Sequence, residues 1–188
     1  MVCAQFAQAV DFYLCPEQQA HLDDICRLAA QGSSNESDGL LLGYALEGVR
    51  LSGPPGFCRE ASDADAFTED DGSQVRIRSG DRVFVSFDAA ARDPTHFPDP
   101  DAVNPRRPVG AYVHYGAEPL TRLGTEVSQV ALVELFRAVF RKKGLRRVPG
   151  PQGRLKRVAG PGGYSVFMTE DWGDFSPFPT SLKVMWDE

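Results

Sequence analysis

Residues 38–51 read DGLLLGYALEGVRL, a strongly apolar run that carries two opposite charges, Glu47 and Arg50. The run predicts a helix, and residues three apart on a helix share one face, so the two side chains are expected to pair. The leucines around them predict that the pair is buried. Removing one partner of a buried pair costs about 3–5 kcal/mol, so such a pair usually fixes a geometry and is expected to have a third partner.

Composition limits what this chain of 188 residues can be. The length suits one domain with a sizeable core, and the net charge of −6 argues against a nucleic-acid partner. No apolar run approaches the roughly 18 residues of a membrane helix, and the first residues lack the basic region of a signal peptide. The four cysteines have no CxxC spacing, which predicts buried, reduced thiols in a cytoplasmic protein.

Helical periodicity recurs along the chain and alternates with other patterns. Asp38 is expected to cap the helix that contains Glu47, and Gly144 is expected to cap the last helix at its C-terminal end. The predicted helices cover residues 2–14, 16–30, 39–52 and 125–143.

Residues 73–87, SQVRIRSGDRVFVSF, instead alternate apolar and polar groups around Ser79–Gly80–Asp81, which predicts a hairpin. Residues 93–119 show no periodicity, and YSVFM and TSLKVMW near the end are strand-like. Together the patterns predict one α+β unit, mainly helical with small β-sheets, in three parts: residues 1–61, 62–124 and 125–188.

Three features follow one another in the chain: EGVR at 47–50, VNPRRP containing Arg107, and HYGAEPLTRLG at 114–124 directly before a helix. In this order and spacing they resemble the C-terminal half of a cytochrome P450, the half that carries the haem loop. The phrases AQFAQAVDFYL, YALEGVRL and EDWGDFSPFPTSLKV are similar to the P450 domain of fungal fatty-acid dioxygenase–P450 fusions, of the linoleate diol synthase or psi-factor-producing oxygenase type.

The resemblance implies the I, J, K and L helices, a hairpin, a meander, a haem loop and a C-terminal β-hairpin. It implies haem as cofactor, a fatty-acid hydroperoxide as substrate, and an N-terminal peroxidase-like dioxygenase domain as partner. Glu47, Arg50 and Arg107 correspond to the structural triad of the family. A full P450 is more than twice this length, so the helices on the other side of the haem pocket are expected to lie outside this chain.

The loop departs from the family pattern where haem would be held. Glu118 stands where the family has a second glycine, Leu120 where a basic residue contacts a propionate, and Arg122 where a cysteine thiolate binds iron. A guanidinium has no usable lone pair, so the chain is expected to be inactive as a P450 by itself. The loop residues that match the family are Tyr115, Gly116 and Gly124.

The resemblance implies roles for further residues, and each role has a simpler structural explanation as its alternative. Arg59 matches a propionate contact, or is a solvated surface residue. His114 could replace the axial ligand, but a structural histidine is favoured, and Cys58 is expected to be a small packing residue. Residues that match the substrate-pocket segments, or are plain core, are Pro54, Phe57, Trp172, Phe175 and Phe178.

Two functional alternatives stay open at this point. The chain could be a haem enzyme with a ligand other than thiolate, or a haem-free structural module that packs against a dioxygenase domain.

Overall fold

The structure is a computed structural model, and it describes residues 2–53, 56–69, 71–112, 124–159, 165–176 and 178–187. Within these ranges the helices are α1 (Val2–Tyr13), α2 (Gln19–Ala30), α3 (Asn35–Ser52), α4 (Phe87–Ala91) and α5 (Thr125–Phe140). Single 3₁₀ turns lie at Pro16–Gln18, Val109–Ala111 and Pro151–Gly153.

Helix α3 lies at the centre of the core and packs against α1, α2 and α5. The approach to α1 is close because Gly48 has no side chain; a Cβ there would lie 2.8 Å from the Cβ of Ala9. Tyr13 of α1 donates a hydrogen bond of 2.6 Å to the backbone oxygen of Tyr44. The side chains that are completely buried in this core include Tyr13, Ile25, Leu41, Leu132, Phe136 and Phe140.

Two predicted helix caps are wrong. Helix α3 begins at Asn35, and Ser34, four residues before Asp38, caps it in a capping box by exchanging hydrogen bonds with Ser37. Asp38 therefore lies in the first turn of α3, where it pairs with Arg137 of α5. Helix α5 ends at Phe140, and Gly144 lies beyond its end in a left-handed conformation with φ 62°.

The strands in the described residues pair only in antiparallel fashion, in four small sheets. The strands are β1 Gly56–Glu60, β2 Asp65–Thr68, β3 Gln74–Ile77, β4 Arg82–Ser86, β5 Arg146–Arg147, β6 Arg157–Ala159, β7 Ser165–Met168, β8 Phe175–Ser176 and β9 Val184–Met185. Two of the sheets are β1–β4 and β2–β3, the third is β5–β9, and the fourth has the order β6–β7–β8.

The predicted hairpin within residues 73–87 is wrong, although both of its strands exist. Strand β3 pairs with β2, and β4 pairs with β1, so the two are not partners. The turn between them instead meets the end of β1: Gly80 donates its N–H to Ala61 at 2.9 Å. Alternation identifies a strand, but not the strand that it pairs with.

The cysteines are less buried than the sequence predicts. Cys3 and Cys58 are exposed, Cys15 and Cys26 are half-buried, and all four are free thiols. In the described part of the chain, no helix is both long enough and apolar enough to cross a membrane.

Candidate functional site

The structure brings Arg107 against Glu47 and Arg50, which both belong to α3. Glu47 is 0% exposed and Arg50 is 3% exposed. Arg50 binds the carboxylate with two parallel hydrogen bonds of 2.8 Å, from Nε to Oε1 and from Nη2 to Oε2. Nε of Arg107 lies 3.4 Å from Oε1 of Glu47, an ion pair without hydrogen-bond geometry. The three residues that the sequence singled out thus form one buried charge cluster.

The arginines of this cluster also bind the backbone at the end of α4 and in the segment without periodicity that follows it. Arg50 donates from Nη1 to the carbonyl oxygens of Ala91, at 2.8 Å, and Pro100, at 2.5 Å. Its Nη2 donates to Ala102 at 3.1 Å, and Nη2 of Arg107 donates to Asp99 at 3.0 Å. Carbonyl groups that no helix or strand uses are therefore satisfied by guanidinium groups, which holds residues 91–102 against α3.

Further members of the cluster were not found from the sequence. The hydroxyl of Tyr112 donates to Oε1 of Glu47 at 2.7 Å, and the N–H of Asn104 donates to Oε2 at 2.9 Å. The ring of Phe97 lies 5.0 Å from the guanidinium carbon of Arg50 and 5.7 Å from that of Arg107. A buried tyrosine hydroxyl needs a hydrogen-bond partner. The position of Tyr112 just before the loop was therefore the one feature of the sequence that could have indicated its bond to the buried charges.

The charges in this cluster are held fixed. Burial raises the pKa of Glu47, but hydrogen bonds from Arg50, Asn104 and Tyr112 and the charge of Arg50 outweigh burial, so the pKa is lowered overall. Burial and the neighbouring Glu47 carboxylate raise the pKa of Tyr112. Both pKa values move away from neutrality, so at neutral pH Glu47 stays ionised and Tyr112 stays protonated, and neither group exchanges its proton. The arrangement can hold backbone in place, and it does not suit acid–base chemistry.

A close backbone contact supports the same arrangement. A Cβ on Gly43 of α3 would overlap the carbonyl oxygen of Pro105, in the NPRRP segment. The helix can approach this segment so closely only because residue 43 has no side chain. The contact places Arg107, two residues further on, next to Glu47.

Most of the haem-loop residues named from the sequence lie outside the described residues: His114, Tyr115, Gly116, Glu118, Leu120 and Arg122. Gly124 is described. It has φ 86°, a left-handed conformation that favours glycine, and it precedes the first residue of α5. Its carbonyl accepts the N–H of Ser128 at 2.9 Å, the first helical bond of α5.

The remaining site residues are scattered over the described surface. Arg59 is exposed on β1, and its Nη1 donates to the carbonyl of Cys58 at 3.4 Å. Trp172 is 46% exposed and Phe175 is 64% exposed, so the alternative that they are plain core is wrong. Phe178 is exposed too. Their place in a substrate pocket stays a prediction.

The side chains of the other two residues predicted for the substrate pocket, Pro54 and Phe57, lie outside the described part of the structure. Pro54 lies outside the described residues, and Phe57 is described only in its backbone, which pairs with Val85 across β1 and β4. Among the described residues, no group of three or more His, Cys, Asp or Glu side chains is placed to hold a metal ion.

This fold is that of the cytochrome P450s. The heme domain of CYP116B5 from Acinetobacter radioresistens superimposes with a TM-score of 0.67 at 17% identity, over 99% of this chain and 38% of that one. The tirandamycin C-bound P450 monooxygenase TamI gives a TM-score of 0.66 at 19% identity, over 99% of this chain and 40% of its own. The resemblance to the haem-loop half of a P450 is confirmed by these structures.

Sequence similarity shows which proteins with a P450 fold this chain resembles. A bifunctional dioxygenase–epoxy alcohol synthase from Pyricularia oryzae is 56% identical over 183 residues, 97% of this chain and 16% of the relative. The linoleate 10R-lipoxygenase of Aspergillus fumigatus is 45% identical over 190 residues, 100% of this chain and 17% of the relative. No protein-family model matches the chain. Over nearly its whole length the chain is similar to fungal proteins of the fatty-acid dioxygenase–P450 fusion type, and it spans about a sixth of the length of these relatives.

Proposed function

We propose that this chain supplies the P450-type scaffold of a fungal fatty-acid dioxygenase fusion and does not itself carry out thiolate-haem chemistry. The relatives' names describe dioxygenase, epoxy alcohol synthase and linoleate lipoxygenase activities. By lineage, the substrates around it are fatty acids and their hydroperoxides, and its partner is the peroxidase-like dioxygenase domain, in the cytoplasm.

One observation carries the proposal: no cysteine follows Cys58 in the sequence. The family's ligand position, two residues before the glycine that opens α5, is occupied by Arg122. A guanidinium stays protonated and offers iron no lone pair. Cys58 lies exposed on β1, with its backbone paired to Phe84. The donor set therefore does not fit a thiolate-bound haem.

The scaffold around that position is retained, which supports loss of the ligand and not loss of the fold. Glu47, Arg50 and Arg107 make the buried cluster that binds the segment before the loop. Gly124 has the left-handed conformation from which α5 begins. Both ends of the loop are thus built as a P450 scaffold requires.

Exposed apolar side chains favour the module alternative, in which the chain acts through contact with other domains. Val127 and Val130, one turn apart on α5, are mostly exposed, as are Phe175 and Phe178 near the C-terminal strands. Solved P450 chains extend well beyond the region that this chain matches. We therefore propose that the partner surface is the remainder of the P450-type region or the dioxygenase domain.

A haem titration tests the proposal. The purified chain is mixed with ferric haem, reduced and exposed to carbon monoxide. We expect no thiolate-type ferrous-CO band, the band from which the family takes its name. A shifted Soret band without that feature would support ligation by another residue, and loss of that band in His114→Ala would identify His114 as that residue. A thiolate-type band from the unmodified chain would contradict the proposal.

A further inference from the structure

This acidic chain contains one strongly basic segment that the proposed function does not explain. Residues 137–157, RAVFRKKGLRRVPGPQGRLKR, hold nine Lys and Arg residues and no Asp or Glu. The chain as a whole has 26 Asp and Glu against 20 Lys and Arg. Positive charge is therefore concentrated in the end of α5 and the chain that follows it.

Some of these cations have partners within the protein. Arg146 lies 2.7 Å from Asp187. Arg137 pairs with Asp38 and Arg147 with Asp11, both part-buried. These three arginines hold the segment to α3, to the C-terminal residues and to α1, so their charge is neutralised by internal contacts.

Four other cations of the segment are exposed, and the described part of the chain provides none of them with an ion pair: Arg141, Lys142, Lys143 and Arg154. They lie in the stretch of chain that contains strand β5 of the small sheet β5–β9. Lys143 accepts the N–H of Asp187 at its carbonyl at 2.8 Å, and the exposed Lys183 donates its N–H to Gln152 at 2.9 Å. With Lys183, five exposed cations thus lie on the chain segments that form or flank this one sheet.

An aromatic residue lies among these cations. Trp186 follows β9 and is 47% exposed, and Nζ of Lys142 lies 5.3 Å from its ring centroid. The negative end of α5 accounts for cations in the last helical turn and just after it. The end of this helix does not account for Arg154 and Lys183, which lie further along the chain, nor for the half-exposed indole of Trp186 beside Lys142.

We propose that this basic face, consisting of Arg141, Lys142, Lys143, Arg154, Lys183 and Trp186, docks on an anionic phospholipid surface. Indole rings favour the boundary between headgroups and acyl chains, and lysine side chains reach from there to anionic headgroups. Basic clusters are attracted to anionic leaflets without a rigid geometry. A protein partner is less favoured because lysine is depleted from protein interfaces, and three of the five cations are lysines.

Vesicle co-sedimentation tests the proposal with the full chain. Vesicles of phosphatidylcholine alone are compared with an equimolar mixture of phosphatidylcholine and phosphatidylserine. We expect binding only to the mixture, and weaker binding as salt rises. Replacing Arg141, Lys142 and Lys143 by Gln should lower the partition coefficient on the order of 100-fold, since each cation near such a surface contributes about fivefold.

A matched variant removes the same charge elsewhere. Arg76, Arg78 and Arg82 are exposed cations of the β2–β3 and β1–β4 region, and their replacement by Gln should leave binding within about twofold, because they are not part of the basic face. Trp186→Ala should weaken binding while retaining the preference for phosphatidylserine. Equal losses in the two triple variants, equal binding to both kinds of vesicle, or no binding at all would each overturn the proposal; the last result would point to an acidic protein instead.

Discussion

The hydroxyl of Tyr112 donates a hydrogen bond of 2.7 Å to Glu47, a residue 65 positions earlier in the chain. Tyr112 is the last described residue before the haem-type loop, and Glu47 lies in the central helix α3. The bond therefore ties the start of the loop to the buried charge cluster. It also completes the set of donors to Glu47, with Arg50 and the N–H of Asn104.

Glu47→Gln should strongly destabilise the protein. The change leaves the guanidinium groups of Arg50 and Arg107 buried without a counter-charge, which costs about 3–5 kcal/mol. Urea denaturation followed by circular dichroism measures the free energy of unfolding. Asp24→Asn removes the exposed pair with Arg27, and this control should stay within about 1 kcal/mol of the parent. Equal effects of the two changes would contradict the assignment of the cluster as a structural clamp.

The contribution of Glu47 should depend on pH. Its pKa is lowered in the folded protein, so its stabilisation is fully present above the unfolded pKa of about 4.3 and is lost as pH falls through the folded value. The difference in unfolding free energy between the parent and Glu47→Gln should therefore be constant near neutrality and shrink below about pH 4.3. Unfolding curves at a series of acidic pH values measure it. A difference that grows on acidification would show that the sign is wrong.

Tyr112→Phe should lower the unfolding free energy by about 1.5–3 kcal/mol, because it removes a hydrogen bond to a buried charged group. Tyr44→Phe is the control, since its hydroxyl bonds at 3.3 Å to the half-exposed carboxylate of Asp24, and it should cost less than about 1 kcal/mol. In combination with Glu47→Gln, Tyr112→Phe should cost much less than it does alone, because the two side chains share one bond. Full additivity would mean that Tyr112 acts independently of Glu47.

Two glycines of α3 should respond to alanine in opposite directions. A Cβ at Gly39 meets nothing within 4 Å, so Gly39→Ala should stabilise the protein by up to about 1 kcal/mol through helix propensity. At Gly43 the same Cβ would overlap the carbonyl oxygen of Pro105, and overpacking of this kind costs about 1–3 kcal/mol or more. Thermal unfolding of both variants distinguishes the sites, and a stable Gly43→Ala protein would exclude the close packing of α3 on the NPRRP segment.

Arg122→Cys alone should not restore a thiolate-bound haem. By the proposed correspondence with the family loop, the substitution returns the ligand atom, but Glu118 and Leu120 still replace a glycine and a propionate-binding residue. We expect no thiolate-type ferrous-CO band after reconstitution. Arg122→Ser removes the charge without adding a sulfur donor and serves as the control. The appearance of that band in the cysteine variant only would show that a single residue separates this chain from haem binding.

Much of the candidate site could be recognised in the sequence because its signals are local. The three-residue spacing of Glu47 and Arg50 on an apolar helix predicts their pairing from helix geometry alone. The lack of a cysteine after residue 58 is likewise a property of the sequence. The family resemblance added Arg107 through its motif, and the three-part division of the chain stays a prediction.

Choices between distant partners were decided by the tertiary structure. Alternation identified β3 and β4 as strands but not their pairing with β2 and β1, since a pleated strand presents the same backbone groups to any neighbour. Tyr112, Asn104 and Phe97 joined the charge cluster because packing on α3 brought them there from far along the chain. Sequence periodicity reports which face of an element is apolar, whereas the partner of that face depends on which long-range contacts bury it best.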